Sequence, residues 1–182
     1  MHASPLSAPS APSVARRRML AGLIGLAGWA FAGAPARSAL AQSAAEDALW
    51  RLSLPQPDGT PLALQSLRGK PLIVNFWATW CPPCVKEMPL LDQFHKQQAH
   101  TANGWQVVGI AVDSAAKVQD FVQRLELGFP ILVAGPKGLD LAKSLGGQGS
   151  LPFTVVIGAN GRVLERKAGM VQPEDLARWQ GL

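Results

Sequence analysis

The chain has 182 residues, 48% hydrophobic and 16% charged, with a formal net charge of +5 and two cysteines. Four of its positive charges, Arg16, Arg17, Arg18 and Arg37, lie ahead of Glu46, its first acid, so residues 42–182 carry only +1. The pI near 9.7 therefore describes the whole chain and is no argument for nucleic acid, and no basic run or basic–aromatic stripe follows Ala41.

The first stretch reads as a targeting segment. Arg16-Arg17-Arg18 precedes an apolar run from Met19 to about Ala34, and Ala39-Leu40-Ala41 is an A-x-A-like cleavage site. The expectation is a signal peptide over residues 1–41, cut after Ala41. The arginines ahead of Met19-Leu20 also suit a twin-arginine signal. No cysteine stands at the end of the run, where a lipoprotein anchor would need one. The alternative, an uncleaved anchor, is disfavoured because the run is short for a span of roughly 20 residues and is interrupted by Gly22, Gly25 and Gly28. Residues 42–182 then form one domain, long enough to bury roughly two thirds of its unfolded surface without a disulfide staple. Export implies an oxidising compartment, the periplasm.

Along residues 42–182, Trp50, Leu52 and Leu54 alternate with polar residues, as in a half-buried strand. Asp58-Gly59 is a turn, and Leu62 and Leu64 return as a second strand, an N-terminal β-hairpin. Leu72 to Trp77 is apolar except for Asn75, which predicts a central strand buried on both faces. A helix is expected from about Pro82 to Gln98, kinked at Pro89. Trp105 to Val112 reads as a strand, and Asp113 or Ser114 as the cap of a helix reaching about Leu127. Pro130 to Val133 is a short strand, Leu139 to Leu145 a short helix and Phe153 to Ile157 a strand. Asn160-Gly161 is a hairpin turn, with Arg162 to Lys167 pairing back antiparallel. Pro173-Glu174-Asp175 opens a terminal helix with acids in its first turn. Strands alternating with helices give an α/β fold with a mixed, largely parallel central sheet and helices on both faces.

The chemistry concentrates at Trp80-Cys81-Pro82-Pro83-Cys84. A C-x-x-C pair serves either thiol–disulfide exchange or half of a metal site. A bridge across two residues closes too short a loop to stabilise a fold appreciably, so the spacing favours chemistry. Cysteines at i and i+3 in the first helical turn can reach disulfide geometry. Cys81 is the outer, reactive position, and the helix N-terminus favours its thiolate. Cys84, one turn in, is expected to be the more buried. Pro82 and Pro83 lack N–H groups and remove donors to the Cys81 sulfur. Lowering a thiol pKa from about 8.5 to about 7 raises its thiolate fraction about 15-fold at neutral pH, but intrinsic nucleophilicity falls about fivefold. The environment of such a pair thus tunes direction more than speed.

The run Asn75-Phe76-Trp77-Ala78-Thr79-Trp80-Cys81-Pro82-Pro83-Cys84, followed by Glu87-Met88-Pro89, resembles the active-site segment of TlpA/ResA-type thioredoxin-like proteins, exported bacterial thiol–disulfide oxidoreductases. Weaker matches are Asp58-Gly59, Leu67 to Pro71, Leu151-Pro152-Phe153 and Asn160-Gly161. The resemblance implies a thioredoxin-like fold with Cys81 and Cys84 as the catalytic, redox-active disulfide. It implies a cis-proline loop at Pro152, with Leu151 and Trp80 lining the substrate site. It further implies reduction of disulfides in exported proteins, as in cytochrome c or copper-site maturation. The pair would be recharged by a membrane thiol donor, with no cofactor and no metal. Thioredoxins proper carry a buried Asp where this chain has Asn75, so another group or water must take the proton of Cys84. Asp113 reads as a helix cap rather than as the proton acceptor, and Glu87 as complementing the first turn of its helix, with a redox role as the lesser reading.

Three other readings share these residues. A copper chaperone is opposed by the ligand count, since His95 and His100 lie far along the helix and read as solvent-facing. A peroxiredoxin-like peroxidase is opposed by the Thr79-x-Cys81 spacing, one residue short of Thr-x-x-Cys. A dithiol oxidase uses identical chemistry and differs only in potential.

Overall fold

The computed structural model describes residues 44–182; the expected signal segment lies outside the described residues. Residues 44–50 are helical, not extended. Three of these seven residues are Ala, the best helix former, and Ala45 and Leu49 sit one turn apart. Leu49 and Trp50 are buried at its end, so the alternation at Trp50, Leu52 and Leu54 marks a helix terminus leading into a strand. Strand β1 (Ser53–Pro55) then pairs antiparallel with β2 (Pro61–Ala63), Leu54 opposite Leu62. Leu64 does not continue β2; it opens a 3-10 turn, Leu64–Leu67.

The main sheet has five strands in the order β5-β4-β3-β6-β7. These are β3 (Leu72–Trp77), β4 (Gln106–Ala111), β5 (Ile131–Val133), β6 (Phe153–Ile157) and β7 (Val163–Ala168). Strands β3, β4 and β5 are parallel; β6 is antiparallel to β3, and β7 to β6. The helices are α1 (Pro82–Ala99), α2 (Ala115–Leu125), α3 (Gly138–Ser144) and α4 (Pro173–Trp179). The chain steps from β3 to β4 to β5 in one direction, so right-handed crossovers put α1 and α2 on the same face. It then turns back across the sheet to β6, and α3 covers the opposite face.

Two cores result. Ile73 and Trp77 of β3 point into one with Cys84, Met88 and Leu91 of α1, Val118 and Phe121 of α2, and Leu176 and Trp179 of α4. Leu72, Val74 and Phe76 point into the other with Leu49, Trp50, Leu64, Ala142 and Leu145. The buried residues of α1 (Cys84, Glu87, Met88, Leu91) recur at helical spacing along one face. Pro89 lies inside α1 at an exposed position, where the carbonyl its ring leaves unpaired can meet water. Helix α2 stops two residues before Leu127, because Glu126 takes a left-handed conformation at φ 50°. In the β6–β7 hairpin Gly161 supplies φ 80°, and its carbonyl accepts the Trp50 indole N–H at 3.0 Å, tying the N-terminal helix to the sheet.

Gly109 shows how closely the sheet is packed around Trp77. A Cβ there would lie 2.7 Å from Ile131 Cδ1 and 3.0 Å from Trp77 Nε1. We predict that Gly109→Val destabilises the fold by about 2 kcal/mol through overpacking. Urea unfolding should show a lowered midpoint with an unchanged slope.

Candidate active site

Strand β3 ends at Trp77, and residues 78–80 turn the chain into α1. Cys81 is the N-cap of α1, with φ −101° and ψ 101°, and Pro82 and Pro83 fill the first two helical positions. The Cys81 N–H donates to the Ala78 carbonyl at 3.2 Å, closing the turn, and the Cys81 carbonyl accepts the Val85 N–H at 3.1 Å. Cys81 and Cys84 are disulfide-bonded, with their Cα atoms 5.3 Å apart. Cys84 is fully buried and Cys81 only 4% exposed, whereas the adjoining Trp80 is 63% exposed. The sulfurs thus lie just beneath a surface marked by an indole. With prolines at both leading positions, Cys84 carries the first N–H inside the helix.

Asp113 does not cap α2. Ser114 holds the N-cap position and makes no side-chain capping bond. Asp113, buried at the end of β4, instead reaches across to the active-site loop. Its Oδ2 accepts the Thr79 N–H at 3.3 Å and the Thr79 hydroxyl, and its Oδ1 accepts the Ser114 N–H at 2.7 Å. Burial alone would raise the Asp113 carboxyl, but these donors outweigh it and hold it below the usual aspartate value.

Glu87 has a different place from the one its position suggests. It lies beyond the first turn of α1, which contains no acid, and is 1% exposed. Its Oε1 accepts from Asn75 Nδ2 at 2.8 Å, and its Oε2 from the Val171 N–H at 2.6 Å. Asn75 Nδ2 also donates to Thr154 Oγ1 at 3.1 Å, its cross-strand partner on β6. Burial pushes the Glu87 carboxyl up to about 7, against the pull of the Val171 and Asn75 donors and the charge of Lys167. Glu87 is three residues beyond Cys84, on the same helical face. Glu87 is thus a carboxyl poised near neutrality, one helical turn from the buried Cys84. In the sequence its signal was the i, i+3 spacing from Cys84.

The Leu151–Pro152 peptide is cis. Pro152 is buried, and Leu151, half-buried, packs against the core cluster that holds both cysteines. The Pro152 carbonyl accepts the Gly169 N–H at 2.9 Å. His95 is not solvent-facing: it is half-buried, and its Nδ1 accepts the Val107 N–H at 3.3 Å. His100 is exposed. Among the described residues no three His, Cys, Asp or Glu side chains gather as a metal-binding group.

The redoxin family profile matches residues 34–178. The thiol-disulfide oxidoreductase ResA of Bacillus cereus is 31% identical over 120 residues, 65% of this chain and 66% of that protein. The chain thus spans just under two thirds of the length of that relative. A thiol:disulfide interchange protein of the thioredoxin family from Chlorobium tepidum superposes with a TM-score of 0.62 at 34% identity, covering 70% of this chain and 89% of that one. A secreted Mycobacterium tuberculosis disulfide oxidoreductase superposes with a TM-score of 0.61 at 27% identity, covering 75% and 99%.

Removing the Asp113 carboxylate leaves the two Thr79 donors without their acceptor. Asp113→Ala should cost about 2 kcal/mol of stability, and hydrogen exchange at the Thr79 amide should accelerate. Asp113→Asn, which keeps an acceptor oxygen, should recover part of both. Because the folded carboxyl lies below its ordinary 3.8, the wild-type advantage should be full above that value and fade as pH falls through the folded one.

Proposed function

The chain belongs to the redoxin family as a TlpA/ResA-type member, and from that membership and its cysteine geometry we propose that it is a thiol–disulfide oxidoreductase acting as a disulfide reductant on exported proteins. The observation that carries this reading is the bonded Cys81–Cys84 pair at the head of α1, beneath the exposed Trp80 and one turn ahead of the buried Glu87.

In the reduced enzyme the Cys81 thiolate attacks a substrate disulfide. The substrate S–S bond breaks, a mixed disulfide forms with Cys81, and the released substrate thiolate takes a proton from water. Cys84 then gives its proton to the Glu87 carboxylate and attacks Cys81. The enzyme disulfide closes, and the second substrate thiolate leaves, taking the proton from Glu87. Two electrons have passed to the substrate. Trp80 and the Leu151-Pro152 segment are the surfaces against which an extended substrate lies. A thiol donor of the membrane restores the dithiol, and the compartment is the periplasm. Cytochrome c and copper-site proteins awaiting their metal centres are substrates of the right chemistry, because their cysteines must be reduced before they can bind.

Two features support the reductive direction. The prolines take away donors that would stabilise a Cys81 thiolate, and so keep the disulfide from becoming strongly oxidising. Above neutral pH the ionised Glu87 disfavours a second negative charge on Cys84, whereas the disulfide has none to disfavour. Both stabilise the oxidised pair relative to the thiolate, which is what makes a dithiol give up electrons.

Equilibration of the pair against glutathione and dithiothreitol buffers, followed by Trp80 fluorescence, should give a potential below about −180 mV. A value near −120 mV would replace the reductant with an oxidase. The Glu87 assignment has its own check in stability. The folded carboxyl holds its proton up to about 7, the unfolded one only to 4.5. Rising pH therefore weakens the wild type across that window and no further above it. Glu87→Gln never ionises, so it should gain about 3 kcal/mol relative to wild type between those two values.

A further inference from the structure

Asn75 is fully buried, in the middle of a strand buried on both faces. Its Nδ2 makes two hydrogen bonds, to Glu87 and Thr154, and its Oδ1 has no partner among the described residues. An amide needs only a half-turn about its last side-chain bond to exchange donor for acceptor. Building on the reading of Glu87 as the proton acceptor for Cys84, we propose that the Asn75 side chain is a two-position adaptor, turning its Nδ2 toward an ionised Glu87 and its Oδ1 toward a protonated one.

Asn75 keeps two hydrogen bonds in either position. With Glu87 ionised, Oε1 accepts from Nδ2, and so does Thr154 Oγ1, as observed. The Val171 N–H occupies Oε2 at 2.6 Å, so an added proton belongs on Oε1, the oxygen facing Asn75. An Oε1–H against Nδ2–H sets two donors together. Turning the amide brings Oδ1 to that place, where it accepts from Oε1–H and from the Thr154 hydroxyl, itself able to donate or accept. Each position makes two Asn75 bonds, leaving Oδ1 without a partner in the first and the Nδ2 N–H groups without one in the second. Glu87 therefore changes protonation while keeping its hydrogen bond to Asn75. Neither alternative residue does this: an ionised Asp cannot donate, and a Leu can neither donate nor accept. The charged groups facing Glu87 are Lys167 of β7 and Asp175 of α4, which pair with each other at 3.0 Å. Cys84 of α1 is held in the disulfide. Asn75 thus acts through Glu87, as a positioning residue.

The test is NMR on the oxidised full-length protein, in which no thiol titrates. The Glu87 carboxyl carbon and the Asn75 side-chain amide are followed from about pH 5 to about pH 9, bracketing the neutral poise of the carboxyl. The amide resonances should move with the carboxyl midpoint. Nuclear Overhauser contacts from the Asn75 Nδ2 protons to Glu87 and Thr154 should be present above the midpoint and lost below it. In Glu87→Gln the Asn75 signals should not change with pH. A Glu87 that titrates while those contacts persist on both sides makes Asn75 a fixed donor and overturns the adaptor, leaving the role of Glu87 standing. A Glu87 carboxyl that does not titrate in this range overturns both.

Discussion

Everything at this site depends on burying β3 on both faces. All six of its residues are fully buried, so it must have strands on either side and helices above and below. Its even-numbered residues fill one core and its odd-numbered residues the other. In so dry a strand a single polar side chain is a strong constraint, because its groups must be satisfied by protein. Asn75 meets this with its Nδ2, which reaches Thr154 across the sheet and Glu87 on α1, while its Oδ1 has no partner among the described residues. The same strand delivers the cysteine loop at its C-terminal end, so sheet registration, the buried carboxylate and the disulfide are aligned by one element.

The features legible in the sequence were those with local signatures. The apolar run of β3, the strand-to-helix setting of Cys81 and Cys84, the double proline, the Asn160-Gly161 hairpin and the alternation of strands and helices all read directly. Residues whose partners lie far along the chain did not. Glu87 looked like an acid favouring a helix N-terminus, yet counting from Pro82 already carries it past the first turn. Its Oε2 is bonded by the N–H of Val171, 84 residues later. Asp113 looked like a cap because it precedes a helix, but its partner is Thr79, 34 residues back. The N-terminal segment differs for another reason: apolar alternation at Trp50, Leu52 and Leu54 cannot separate a strand from the end of a helix followed by one.

The electrostatics of the site push in one direction. A free helix N-terminus stabilises an anion, and that stabilisation makes disulfides oxidising. Here two of the leading N–H groups are absent and a carboxylate lies one turn inside. Asp113, the other buried acid near the loop, is satisfied by three donors and stays ionised, so it anchors without exchanging protons. The two acids are separated in role by their donors: burial dominates at Glu87 and hydrogen bonding at Asp113.

An amide at position 75 has a consequence for where the proton goes. Two carboxylates within hydrogen-bonding distance in a dry core cannot both ionise, so an acid on β3 and one on α1 would compete for a single proton. With Asn75 on the strand, the acid belongs to the helix that carries Cys84. Its second oxygen is tied to the segment following β7, and that segment is tied in turn to the cis-proline loop: Gly169 N–H donates to the Pro152 carbonyl, and Val171, two residues on, donates to Glu87. One backbone hydrogen bond and one backbone-to-side-chain hydrogen bond therefore link the Leu151-Pro152 segment, through residues 169–171, to the buried carboxylate. The Val171 N–H is the donor that lowers the Glu87 pKa most, so the basicity of the buried carboxylate depends on where the segment following β7 is held, and that segment is held in turn by the cis-proline loop.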